Sequence, residues 1–282
     1  MMRSMALLLG AALAGPAAAQ DDWAKIKAEW NQPMAPFRIV GDVYYVGTAG
    51  LSAFLITSPR GHILIDGAMA ESVPQIAANI ETLGFKLRDV KILLINHAHW
   101  DHSGGLAALK RRTGAKLYAS AADRPALEAG WMDYRPEQER VAPVKVDKVI
   151  ADGEVIALGG NRLTTRLTPG HTKGCTSWTT SVPAGADTLN LLFACSITVA
   201  GQPLTPGKGY DAAASDFSAT FAKLRTLQAD IFLAFHPAAF DMATKRARQE
   251  AGNANAFVDP TELPRRIAAA ETAFEAELAA AQ

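Results

Sequence analysis

Cysteine is nearly absent from this sequence, net charge is absent altogether, and no apolar run is long enough to cross a bilayer. Each shortage removes a class of function. The 282 residues carry 28 basic and 28 acidic side chains, which leaves no electrostatic footprint for nucleic acid or an anionic membrane surface. A spanning helix needs roughly 20 apolar residues, and the longest candidate, residues 5–13, is far shorter. The two cysteines, Cys175 and Cys195, lack the C-x-x-C spacing of a zinc knuckle or a thioredoxin-like site. No Ser-x-x-Lys pair occurs, so the serine-acylating route to amide hydrolysis is missing. No Pro/Gly/Ser-rich linker divides the chain, which reads as one domain.

What is present begins with an export signal. Arg3 supplies a positive start, residues 5–13 an apolar stretch, and Gly15-Pro16 a break. Ala17-Ala18-Ala19 then offers a small-residue cleavage site before Gln20. Residues 1–19 are expected to be a cleaved signal peptide and 20–282 a single periplasmic domain, a monomer with no membrane and no nucleic-acid partner. Losing Arg3 tips the mature formal charge to −1. In an oxidising compartment Cys175 and Cys195 pair as a disulfide or stay as two buried thiols; spacing alone does not decide.

Apolar periodicity divides the domain into two similar halves. Short alternating segments at 37–40, 43–46, 51–57 and 62–65 read as antiparallel strands. Helical spacing follows at Val73, Ile76, Ala77, Ile80 and Leu83. Strand and helix then alternate: 90–96, 106–112, 116–120, 124–129. A second strand-rich stretch covers 144–150, 154–158, 162–167, 176–181 and 189–198. A helix through Phe217, Phe221, Leu224 and Leu227, a strand at 231–235 and a helical tail from Thr261 complete it. Two such halves stack sheet on sheet with helices outside, an α/β four-layer αβ/βα sandwich. The polar segment 130–142 is expected to be a surface loop near a site.

Of six histidines, three fall in Asn96-His97-Ala98-His99-Trp100-Asp101-His102. An apolar strand precedes them and Ser103-Gly104-Gly105 follows. In an extended segment His97, His99 and Asp101 share a face, and a turn into a helix swings His102 to another direction. Trp100, by the same alternation, points away. Imidazole and carboxylate are preferred Zn²⁺ ligands, and two adjacent sites need about six of them. His171, in Thr168-Pro169-Gly170-His171-Thr172, and His236, before Pro237, each sit on a loop at the end of a strand. Only His62 is left over, and it reads as a strand or turn residue. Asp66, before Gly67, is either a carboxylate behind a ligating imidazole or simply a turn former.

The spacing His97-x-His99-x-Asp101-His102 with distant His171 and His236 resembles the ligand set of the metallo-β-lactamase superfamily, most specifically its subclass B3. The likeness extends to 36–39, 168–175, 194–198, 236–241 and 257–260. It implies two Zn²⁺, one on His97, His99 and His171 and the other on Asp101, His102 and His236. It implies a disulfide between Cys175 and Cys195, and Ser196 and Thr198 as contacts for a substrate carboxylate. Ser196 stands where other subclasses place a cysteine ligand. Trp100 is a departure, a larger ring than many relatives carry.

The implied activity is zinc-dependent hydrolysis of the β-lactam amide in penicillins, cephalosporins and carbapenems, conferring antibiotic resistance. Zinc lowers the pKa of bound water to about 7, so metal-bound hydroxide is available without a dedicated base. Asp101 is the catalytic side chain expected to orient it. One alternative is a dinuclear-zinc thioester, lactone or phosphoester hydrolase of the same fold. Those relatives bridge their metals with an aspartate late in the chain, a place held here by Leu191–Ser196 with no Asp. A second alternative is a non-catalytic periplasmic zinc-binding protein, which calls for closed ligand shells rather than two open three-ligand sites.

Overall fold

In the computed structural model of the chain, residues 16–185 and 187–282 are described. The apolar run of the expected leader lies outside them. The first element is α1 (Pro16–Trp30), a helix the periodicity reading left out. Its only signal is Trp23, Ile26 and Trp30 at helical spacing, too short a stripe to stand out.

The first sheet follows in strict chain order: β1 (Phe37–Val40), β2 (Val43–Tyr45), β3 (Phe54–Ile56), β4 (His62–Ile65), β5 (Val90–Leu94), β6 (Lys116–Ser120) and β7 (Lys148–Ile150). The pairing is antiparallel as far as β4 and parallel from β4 to β7. Parallel neighbours need crossovers. Between β4 and β6 helices supply them: α2 (Val73–Thr82), then α3 (Trp100–Ser103) and α4 (Leu106–Thr113). The connection from β6 to β7 holds α5 (Arg124–Ala129) and the 130–142 loop. The second sheet holds β8 (Val155–Leu158), β9 (Asn161–Leu167), β10 (Thr176–Ala184) and β11 (Asp187–Ala194), all antiparallel. β12 (Ile231–Ala234) returns parallel to β11 after α6 (Ala213–Arg225). The chain ends with α7 (Met242–Glu250) and α8 (Glu262–Ala280).

The sheets meet face to face. Phe54 of β3 lies 5.2 Å from Phe193 of β11 and 5.6 Å from Phe235 at the end of β12. β4 and β12 are buried throughout, as expected of strands covered on both faces. Each isoleucine, leucine or phenylalanine so covered contributes about 1.5–3 kcal/mol on burial. Phe217 and Phe221 of α6 pack on Phe274 of α8, forming an outer layer. The expected sandwich is therefore the observed one.

The structure departs from the periodicity reading at several points. Residues 144–147 are not strand, because Val144 donates its N–H to Leu127 and the segment runs beside α5. β11 stops at Ala194, where Cys195 leaves the ladder for a disulfide. Helix α7 has only Met242 and Lys245 buried, so its sequence carries no apolar stripe to read.

One consequence of topology positions everything that follows. β4, β5, β11 and β12 run in chain-order pairs that are parallel within each sheet, and β9 runs the same way as β11 across β10. The loops after these five strands carry Asp66, 96–102, His171, Ser196 and His236, and all five open on one cavity or stand directly behind its histidines.

Candidate metal centre

The exit from β5 carries Asn96 and His97, and α3 begins at Trp100 with His99, still extended, as its N-cap. Asp101 and His102 are thus carried on the first turn of a helix, where their donor atoms meet His236 and not the His97/His99 pair. His171 and His236 arrive from the second sheet. The structure gathers these six into two triads, His97/His99/His171 and Asp101/His102/His236, each with its donor atoms within 4.8 Å of one another. In the first, His99 Nδ1 lies 3.0 Å from His97 Nε2 and 3.1 Å from His171 Nε2. In the second, Asp101 Oδ2 lies 3.4 Å from both His102 Nε2 and His236 Nε2, which are 3.2 Å apart.

These separations fit a cation. A tetrahedral zinc with Zn–N of 2.0–2.1 Å would hold its ligands about 3.3 Å apart. On His171, His102 and His97 the other ring nitrogen has a partner that settles the tautomer. His171 Nδ1–H donates to the Thr198 carbonyl at 2.7 Å, and His102 Nδ1–H to Asp66 Oδ2 at 2.9 Å. His97 Nδ1 faces Asn96 Oδ1. Each arrangement leaves an Nε2 lone pair aimed into the triad. His99 Nε2 is buried without a partner. Converging lone pairs repel one another unless a positive charge sits between them.

Protonation agrees. Burial, then the neighbouring imidazoles, holds His97 well below the ordinary histidine range, and burial with the adjacent His171 does the same for His99. His171 is lowered to about 4 by burial. All three are neutral near pH 7, the form a metal requires. Burial pushes Asp101 up, but His102 and His236 outweigh it and hold the carboxyl below the usual range. Burial likewise opposes charge on His102, and the Asp101 and Asp66 carboxylates prevail, raising it.

Asp66 combines both roles open at the sequence level. Its φ of 79° makes the turn and its Oδ1 accepts from Gly67 N–H at 2.8 Å, while Oδ2 takes His102 and Asn96. His62 is remote: its Nδ1 accepts from Ser58 N–H and its ring packs 5.1 Å from Phe85. Ser196 Oγ and Thr198 Oγ1 stand 3.0 Å apart on the wall of a cavity of about 780 Å³ that holds both triads' exposed edges. Cys175 and Cys195 form a disulfide with Cα atoms 5.9 Å apart. Cys195 Sγ sits 3.7 Å from His97 Nδ1, but a bridged sulfur is no thiolate and cannot ligate.

Trp100 corrects an expectation. Because the helix starts at that residue, strand alternation does not apply, and the indole lines the cavity instead of pointing away. Two further residues were missed. Asp123, buried with its carboxyl pushed up to about 6 by desolvation, accepts from Ala98 N–H, Thr172 Oγ1 and Gly174 N–H at 3.0–3.2 Å. It ties the two ligand loops together. Gly174 is required there, since a Cβ would come within 2.5 Å of Asp123 N. Arg135, from the 130–142 loop, is almost fully buried at the cavity edge and bonds the Ala200 carbonyl at 3.3 Å. Asp123 directly precedes α5 and Arg135 lies within the polar 130–142 segment, and neither belongs to a recognisable motif.

Residues 47–182 match the family model of the metallo-β-lactamase superfamily. BJP-1, a subclass B3 metallo-β-lactamase of Bradyrhizobium japonicum, is 39% identical, with a TM-score of 0.86 over 90% of this chain and 97% of that one. Native FEZ-1 metallo-β-lactamase from Legionella gormanii is also 39% identical, with a TM-score of 0.86 over 89% and 97%. The chain belongs to the metallo-β-lactamase superfamily. Within it, these solved neighbours are β-lactamases, and BJP-1 is of subclass B3. Similarity to curated proteins is more partial. A hydroxyacylglutathione hydrolase of Rhodopseudomonas palustris is 29% identical over 42% of this chain, and the match spans 39% of that relative's length.

Proposed function

We propose that this chain hydrolyses the amide bond of β-lactams with two Zn²⁺, one on His97, His99 and His171 and one on Asp101, His102 and His236. The observation that carries the reading is the pair of convergent triads opening on one cavity with Ser196 and Thr198. When bound, the metals supply Lewis acidity toward water and the lactam carbonyl.

The protein's own groups do the rest. Asp101, held ionised, accepts from an O–H in the cavity and so orients the attacking water. Ser196 and Thr198 present two hydroxyls to the carboxylate beside the lactam ring and fix its approach. Asp66 and the Thr198 carbonyl hold His102 and His171 in the tautomers that leave Nε2 free. The lack of an aspartate in Leu191–Ser196 argues against a thioesterase reading, despite the hydroxyacylglutathione hydrolase similarity. The reading includes export, with residues 1–19 as leader and 20–282 as a periplasmic domain. It is tested by measuring zinc content together with hydrolysis of a chromogenic cephalosporin, with and without chelator. Two equivalents of zinc and chelator-sensitive turnover are expected; turnover surviving complete metal removal refutes it.

A further inference from the structure

Trp100 plays no part in the chemistry above, yet it is the centre of the best-built feature at the cavity mouth. Its indole stacks on Trp30 with ring centroids 6.2 Å apart and planes 20° apart, and Trp23 meets it edge-on at 6.2 Å. Trp30 continues the series onto the rim ligand His236, 5.1 Å away. Trp23 and Trp30 both belong to α1 and lie downstream of Gln20, so removal of the expected leader leaves them in place.

The helix is anchored, not merely draped. The Trp30 carbonyl accepts from Gly50 N–H at 3.0 Å and Thr48 Oγ1 at 2.7 Å. Asn31 Oδ1 accepts from Ser72 Oγ at 2.7 Å. A Cβ on Gly50 would fall 2.5 Å from Trp30 Cα, so the close approach depends on glycine there. At the open side Lys27 lies 4.7 Å over the Trp100 ring and pairs with Glu139 of the 130–142 loop. Lys27 and Glu139 both line the cavity, so the pair bridges its mouth.

We propose that Trp30 and Trp100, latched by Lys27–Glu139, form a wall that selects β-lactams by the bulk of their ring substituent. This rests on the β-lactamase reading. One face of each indole is turned toward the other, and Lys27 lies over the Trp100 ring, so the stack is already occupied by its own partners. A compact substituent passes beneath the stack. A bulky one has to displace α1 from anchors formed by backbone hydrogen bonds. The wall is therefore a steric filter and not a binding platform.

The test compares kcat/KM for a carbapenem with a small hydroxyethyl substituent and a ureidopenicillin with a large one, using zinc-loaded protein. Trp30→Ala is expected to raise the value for the bulky substrate about tenfold, on the scale by which pocket size discriminates, and to leave the compact one unchanged. Lys27→Glu and Glu139→Lys are each expected to raise it about threefold, and the double reversal to restore the parental ratio, as an exposed pair of modest strength should. Acrylamide quenching of tryptophan fluorescence reads the wall without turnover. It should increase in both single reversals and fall back in the double. Equal change for both substrates, or loss of bulky turnover in Trp30→Ala, overturns the filter, as does quenching identical in all four latch states. A parent protein that hydrolyses neither substrate refutes the proposed function instead, and the quenching series still decides the wall.

Discussion

Asp123→Asn separates charge from shape at the one buried carboxylate that joins the two ligand loops. Its three partners are all donors: Ala98 N–H and Thr172 O–H to one oxygen, Gly174 N–H to the other. An amide keeps one acceptor and turns an NH₂ toward one former partner, leaving a buried donor unpaired at a cost of about 1–3 kcal/mol. Against this, the amide escapes ionisation. Desolvation raises the Asp123 carboxyl from 3.8 to about 6, equivalent to about 3 kcal/mol between its protonated and ionised forms. The sign follows from linkage. With the folded value raised, the native state binds the proton more tightly than the unfolded chain. The contribution is complete below about 3.8 and is lost as pH rises through about 6. The variant should therefore be less stable than the parent by about 1–3 kcal/mol at pH 4 and approach or exceed it at pH 8. Urea unfolding of chelator-treated protein, followed by tryptophan fluorescence across that range, measures the difference. A parent-minus-variant difference that is flat from pH 4 to 8 refutes the assignment of a desolvated, raised carboxyl.

Three further outcomes are expected. Asp66→Ala removes the acceptor that fixes His102, and should weaken binding of the metal at the Asp101/His102/His236 triad by about 10–100-fold, read by competition with a chromophoric chelator; unchanged affinity would make Asp66 a turn residue only. Ser196→Ala combined with Thr198→Ala should raise KM about tenfold with little change in kcat, since the hydroxyls bind substrate and transition state alike; a fall in kcat alone would contradict that role. Replacing both Cys175 and Cys195 by serine opens a bridge with a sequence separation of 20 and should cost about 2–4 kcal/mol in urea unfolding, with no loss expected if the bridge is absent in the purified protein.

How much of this could be read from residues alone depended on whether the signal was local. Apolar alternation and short continuous apolar runs together marked all twelve strands of the two sheets, because each strand's burial is written into its own few residues. The histidine cluster was legible for the same reason, with three histidines and an aspartate inside six positions. His171 and His236 became legible only by completing a ligand count, since each alone looks like an ordinary loop residue. Asp123 and Arg135 had no such count to join. Their partners are backbone groups on distant loops, and a backbone donor has no letter in the sequence.

Trp100 shows where local reasoning reverses. Alternation holds only while the chain is extended, and the chain stops being extended one residue after His99. That single change of backbone state does two things at once. It places Asp101 and His102 in a different triad from His97 and His99, so one heptapeptide serves two sites. It also rotates Trp100 from the back of the strand to the mouth of the cavity, where α1 can stack on it. The position of the ring and the division of the ligands thus have a common cause. A substitution that lengthened β5 through Trp100 would disturb both together, whereas Trp100→Phe, which keeps the turn, should preserve the metal sites and alter only the wall.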